Sequence, residues 1–162
     1  MKVDRKELQA RMDHFRQAFE QTGAKITHQR IEVFREVART DEHPDAVTIY
    51  RRVRRRMPTI SLDTVYRTLW KFLDMGLITT LGFYGERVRF DGNTARHHHF
   101  ICNKCGMTMD LKSEELDNLK APSAAKDLGN IETTHVEFRG LCVKCSKDYG
   151  HGSNRGRRHR NI

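Results

Sequence analysis

The sequence predicts an α+β protein: an N-terminal winged helix-turn-helix followed by a small α/β domain that binds metal. Three observations carry this. Apolar residues recur at helical spacing from Leu8 to Phe72, two short β-branched runs follow a glycine stop, and two Cys-x-x-Cys pairs punctuate a strand-rich remainder. The expected organisation is a winged-helix domain over 1–88, a metal domain over 89–149 and a basic tail over 150–162.

Leu8, Met12, Phe15 and Phe19 mark one face of a first helix that ends near Gly23. Thr27 caps a second helix carrying Ile31, Phe34 and Val37. A third follows His43-Pro44, with Ala46, Ile49, Tyr50 and Val53 as its buried stripe, and Pro58 ends it. Then comes "SLDTVYRTLWKFLDMGLI": Ser61 is the N-cap, Leu62, Val65, Leu69 and Phe72 keep the period, and Gly76 is the stop. The opposite face presents Thr64, Arg67, Thr68 and Lys71, residue types that suit base edges and phosphates of a major groove. Tyr66 and Trp70 share this helix and are assigned to packing or a phosphate contact. "LITTL" and "RVRF" read as strands around the turn "GFYGE".

Net charge is +9, with dense arginines in "RRVRRRM" (Arg51 to Met57) and in the tail. A charge of that size attracts polyanions, nucleic acid ahead of membrane, although a solvated helix face and a disordered tail are the plainer accounts of these two runs. No apolar run approaches membrane-spanning length, and "MKVDRKELQARMDHF" lacks a signal-peptide core. A cytoplasmic protein is expected, whose four cysteines then serve metal or redox chemistry rather than disulfides.

Cys102-Asn-Lys-Cys105 is echoed by Cys142-Val-Lys-Cys145, which together supply four thiolates to one tetrahedral zinc. Strands in "GMTMDL" and "IETTHVEFRGL" and a short helix in "SEELDNL" fill the spacer. Neither pair is expected to open a helix after a strand in a βαβ context, which weighs against thioredoxin-like chemistry. Just ahead, "HHHFI" reads as strand, so His97 and His99 point one way and His98 the other. With Asp91 upstream and Asp110 downstream they form a nitrogen/oxygen set suited to iron, manganese or zinc, and His98 is left as incidental polar surface. The histidines and cysteines thus make two sites.

From about Leu8 to Cys145 the chain resembles the ferric uptake regulator superfamily. The likeness rests on "KITHQR", "HPDAVTIYRRV", "SLDTVYRTLWKF", "MGLI", "RFD", "HHHFICNKCG" and "GLCVKC", in order and at family spacing. It implies a dimeric repressor that binds operator DNA, with a C-terminal dimerisation domain, one structural Zn2+ per subunit and one regulatory Fe2+ or Mn2+. The peroxide-responsive subgroup is the nearest in pattern. Its regulatory ligands correspond here to His43, Asp91, His97, His99 and Asp110, where iron-uptake members usually carry glutamate at the last position. The resemblance further implies that bound ferrous iron reduces hydrogen peroxide and oxidises His43 or His97, releasing the operator. DNA contact is expected from Ser61, Thr64, Tyr66, Arg67, Thr68 and Lys71. His28 departs from the proline usual in "THQR", and the family's frequent extra metal site is not clearly matched, leaving His98 and His135 unassigned.

Three rivals stay open. One keeps the fold but senses iron or manganese sufficiency by reversible occupancy. Another is a mononuclear metal-dependent enzyme using His97, His99 and a carboxylate, which lacks a glycine-rich loop or an evident general base. The last is a zinc-ribbon module for RNA or protein. No organic cofactor and no membrane partner are expected.

Overall fold

A computed structural model describes residues 3–81, 88–131 and 133–150. The chain divides into two compact units, the first running through Ala95 and the second starting at Arg96.

In the first unit each helix starts at a side-chain cap. Asp4 accepts Glu7 N–H at 2.9 Å and opens α1 (Arg5–Thr22); Thr27 accepts Arg30 N–H at 3.3 Å and opens α2 (His28–Ala38). Asp45 accepts Thr48 N–H at 2.7 Å for α3 (Ala46–Arg54), and Ser61 accepts Thr64 N–H at 3.0 Å for α4 (Leu62–Asp74). These caps satisfy amides that a helix leaves without partners. The core is aromatic where three helices meet. Phe15 of α1 stacks on Phe34 of α2 at 4.7 Å, and Phe72 of α4 meets both edge-on at 5.7 and 5.6 Å. Strand β1 (Thr79–Leu81) pairs antiparallel with β2 (Arg89–Asp91), Thr79 opposite Asp91. The expected turn "GFYGE" lies outside the described residues.

The helical stripes follow the periodicity, with Leu8, Ile31 and Tyr50 only partly buried at the rim and Leu62, which the period also placed there, half-buried outside the core cluster. The sequence did not signal a buried ion cluster. Glu32 and Glu36 of α2 are 4% and 0% exposed and bind Arg56, at 2.7 Å through Nε and 2.5 Å through Nη2 respectively. Arg35 joins Glu32, and Arg39 reaches Glu36 at 2.8 Å. The arginine run is therefore partly paired or packed against neighbours within the first unit. Arg56 is consumed here, Arg52 binds Glu42 at 2.7 Å, and Arg54 lies over the Tyr50 ring.

In the second unit β3 (His98–Cys102) is the central strand. It pairs antiparallel with β4 (Thr108–Leu111) and parallel with β5 (Glu137–Gly140). A parallel partner requires a crossover, and the connection carries α5 (Glu114–Asp117) and α6 (Ser123–Lys126). The strand expected over "IETTHVEFRGL" is thus confined to its last part. The final helix, α7 (Val143–Gly150), starts next to Cys142 soon after β5, and no strand follows it among the described residues, so the pair has no βαβ setting. Cys142 sits at that helix start, its Sγ 3.4 Å from the Cys145 amide and its carbonyl accepting Ser146 N–H at 2.8 Å. Among the described residues no helix is long and apolar enough to cross a membrane.

Candidate metal centres and nucleic-acid face

The four cysteines of the second unit converge. Their Sγ atoms all lie within 4.8 Å of one another, with Cys105 and Cys142 3.9 Å apart. Four thiolates about 2.3 Å from a tetrahedral zinc stand about 3.8 Å from each other, so the set fits that ion. The β3–β4 turn builds the first half: Cys102 N–H donates to Met107 O at 2.9 Å, and Gly106 N–H to Cys102 O at 2.8 Å. Gly106 takes φ 69°, a left-handed value that a side chain would resist. Start of α7 builds the second half, and Cys142 N–H points at Cys102 Sγ from 3.3 Å. Amides of Cys105 and Cys142 aimed at its sulfur lower the Cys102 thiol from 9.0 to about 6. Burial first, and then the neighbouring sulfurs, push Cys145 up to about 12. Amide donors favour the thiolate at Cys102 and burial opposes it at Cys145, and a bound dication would favour the deprotonated form of the whole set.

The same unit holds a nitrogen/oxygen set. His97 precedes β3 and His99 lies in it; their Nε2 atoms are 2.9 Å apart with the rings nearly perpendicular. Asp110 pairs with His99 across the β3–β4 register and brings Oδ1 to 3.9 and 3.8 Å from the two nitrogens. Two nitrogens about 2.1 Å from one ion at a right angle are about 3.0 Å apart, so this spacing also fits a metal. Both histidines are almost wholly buried.

In the first unit His43 and Asp91 form a second nitrogen/oxygen pair, Nε2 to Oδ2 at 3.4 Å, at 1% and 2% exposure. His43 has φ 49°, a left-handed backbone that costs a non-glycine residue on the order of 1–3 kcal/mol and persists only where the surroundings enforce it. They do so from several sides. Arg11 of α1 reaches Asp41 at 3.5 Å, Arg52 of α3 binds Glu42, and Phe90 N–H donates to Pro44 O at 3.1 Å. Asp91 is aimed by Asn93, whose N–H donates to Oδ1 at 2.7 Å. Sequence reasoning missed Asn93; "DGN" is a turn signal that could have found it.

On α4, Arg67 and Lys71 are exposed, Tyr66 is 40% exposed and Trp70 53%. Of the two roles expected for Trp70, packing or a phosphate contact, its exposure leaves the second open. Thr68 is a correction, because at 7% exposure it is not on the open face. It lies at the helix period between face and core, and lines a hollow of about 430 Å³ with Thr64, Arg67, Lys71 and, from α2, Thr27, Gln29 and Arg30. Ser61 Oγ is engaged by the Thr64 amide and by its hydroxyl at 2.8 Å. Gln29 and Arg30, which sequence reasoning missed, stand in "THQR" at the start of α2 and border the same hollow. His98 is a further correction: it is fully buried rather than polar surface.

Comparison with known proteins bears on the family and the fold. The model of the ferric uptake regulator family matches residues 21–139. A peroxide-responsive repressor of Staphylococcus epidermidis is 34% identical over 128 residues, which cover 78% of this chain and 84% of the relative. The solved Campylobacter jejuni peroxide stress regulator is 27% identical with a TM-score of 0.59, over 85% of this chain and 98% of that one. The Helicobacter pylori ferric uptake regulator, described with three functional metal binding sites, superposes with a TM-score of 0.69 at 21% identity, over 90% and 97% of the two chains. At that identity the last comparison speaks for the fold alone. The chain belongs to the ferric uptake regulator family, whose members are metal-responsive repressors that bind DNA as dimers.

Proposed function

We propose that this chain is a metal-dependent repressor that leaves its operator when hydrogen peroxide oxidises His43 or His97. The observation that carries the reading is a thiolate-free donor set distinct from the zinc-type cysteines: His97, His99 and Asp110 in one unit, His43 and Asp91 in the other. We take these five as ligands of one Fe2+ or Mn2+. Asp91 and His97 are six positions apart, so the chain between them spans at most about 20 Å and keeps the two halves within reach of each other. Ligands shared between units would select one arrangement of the DNA-binding unit from an ensemble. Bound ferrous iron would supply the one-electron chemistry that splits the O–O bond of hydrogen peroxide beside the imidazoles; one peroxide oxygen would replace a ring C–H hydrogen, the ring losing two electrons, and the other would leave as water. An oxygen added to either ring removes a donor, and the ion and the selected arrangement go with it. Manganese leaves the rings intact.

DNA would be read by α4 through Arg67, Thr64, Tyr66 and Lys71, with Ser61 at the helix start. Thr68, Gln29 and Arg30 bound the adjoining hollow, which suits a backbone phosphate. Pairing of two chains would involve the second unit, whose sheet carries Met109, Phe100 and Phe138 in register. Met109 and Phe138 are 52% and 44% exposed, a large apolar area for an isolated chain. The cysteines hold structural zinc in this reading and do not sense oxidant.

Anaerobic protein loaded with Fe2+ or Mn2+ is exposed to equimolar peroxide, and peptides are weighed while operator binding is followed. One added oxygen on His43 or His97, in the iron form only and with loss of DNA binding, is expected. Intact histidines with binding that tracks free metal would establish the second reading, reversible metal-sufficiency sensing, which the same donor set favours when loaded with manganese.

A further inference from the structure

His98 belongs to neither donor set. It faces away from His99 on β3 and is fully buried, with Nε2 3.3 Å from Oδ1 of Asp117 at the end of α5. Neither atom makes an aligned hydrogen bond to the other. A buried imidazole facing a shielded carboxylate oxygen is the kind of pair that a third divalent ion would join. Two features of this chain oppose that.

Val136 N–H donates to His98 Nδ1 at 3.1 Å. An accepting Nδ1 leaves the single ring proton on Nε2, the atom that faces Asp117, so this nitrogen has no lone pair for a metal. The second feature is Arg96, whose Nε lies 3.6 Å from the same Asp117 oxygen. A guanidinium keeps its charge at any physiological pH and repels a dication placed beside it.

We propose that Arg96 is the resident cation of this position. Its guanidinium at 3.6 Å and His98 Nε2 at 3.3 Å meet one Asp117 oxygen as electrostatic contacts rather than aligned hydrogen bonds, and so hold the start of β3 near α5, while the Val136 amide ties in the segment before β5. The clasp needs no metal. In a chain whose other two donor sets are loaded as proposed above, the count is two ions rather than three, and only the nitrogen/oxygen set exchanges with the metal supply.

The test compares chains differing only at this position, so it does not depend on the metal reading above. Native mass spectrometry of protein saturated with Zn2+, or with Zn2+ and then Mn2+, is expected to give the same ion count for the wild type and Asp117→Asn. One ion fewer in Asp117→Asn would overturn the proposal. His99→Ala reports separately on the regulatory set, because losing an ion there tests that reading and leaves this comparison intact. Hydrogen exchange gives the positive evidence. Arg96→Ala should speed exchange at Val136 and across α5 by about threefold, the scale of a half-exposed ion pair. Arg96→Lys should recover part of it. Unchanged exchange in Arg96→Ala would overturn the clasp even if the ion counts agree.

Discussion

Gly92→Ala tests how the first unit aims Asp91. A β-carbon at Gly92 would stand 2.9 Å from Ala38 Cα, 3.1 Å from Ala38 N and 3.2 Å from the Val37 carbonyl carbon. All three are backbone atoms of α2, held by its own hydrogen bonds, so the strand end must move instead. Ordinary carbon contact is about 3.5–4 Å, which asks for a shift of about 0.6–1 Å. Asp91 precedes Gly92, and its Oδ1 is bound to the Asn93 amide that follows, so the carboxylate moves with the turn. Overpacking of this kind costs about 1–3 kcal/mol of stability. A ligand that loses its support costs about 10–100-fold in metal affinity. Mn2+ titration of zinc-loaded protein, read by electron paramagnetic resonance, and a thermal melt by circular dichroism would measure both effects. A lowered melt with Mn2+ affinity within about twofold of wild type would refute the reasoning: either Asp91 is not a ligand, or α2 does not fix its place.

The other expectations are simpler to state. Glu36→Gln exchanges two charge-assisted bonds for neutral ones; because Arg39 and Arg56 are about four-tenths exposed and can rehydrate, the loss should be about 1–2 kcal/mol in urea unfolding, and no loss would show the cluster to be idle. Arg52 holds the Glu42 carboxyl below its ordinary 4.5, so its contribution is present above that pH and fades as pH falls through the lower folded value. Arg52→Gln should abolish this small pH-dependent part, which acid titration of stability in both proteins would reveal. Arg67→Ala should cost about 1–3 kcal/mol at the operator and little on random duplex if it reads a base; an equal loss on both would make it a phosphate contact. Cys142→Ser should leave the second unit unfolded or loosely folded, since structural zinc supplies about 10–16 kcal/mol to small domains, and a sharp wild-type-like melt would deny the cysteines that role.

Most of the first unit was legible because helical period and caps are local properties. Phe15, Phe34 and Phe72 could be placed in the core before their ring contacts were known, and Ser61 and Thr27 cap the helices their positions imply. What escaped depends on residues distant in sequence. Glu32 and Glu36 look like solvated charges until Arg56 folds back over α2. Thr68 sits on the polar side of α4 by period, yet it is buried beside a hollow that residues at the start of α2 also line. In the second unit the alternation of β3 correctly separated His98 from His99, but period alone cannot say that the other face is also buried. The helix at Cys142 escaped for a related reason: Val143, Lys144 and Ser146 carry no strong helical signal, and its start is fixed by sulfur and carbonyl contacts of a cysteine already assigned to metal.

The distribution of donors suggests why two kinds of site coexist. All four sulfurs come from the second unit, where Cys102 and Cys142 join the ends of β3 and β5 that the parallel pairing sets side by side. An ion held there contributes to the fold of one unit, and losing it costs that unit its structure. The nitrogen and oxygen donors are divided, three in the second unit and two in the first, and each group is supported by its own unit's hydrogen bonds and packing. In the proposed reading an ion shared between them can therefore leave without unfolding either unit. A chelator that removes only this ion should abolish operator binding while the melt of each unit stays in place. In that reading the softer thiolates favour zinc at the permanent position, while the oxygen and imidazole donors accept iron, manganese or zinc and follow the metal supply.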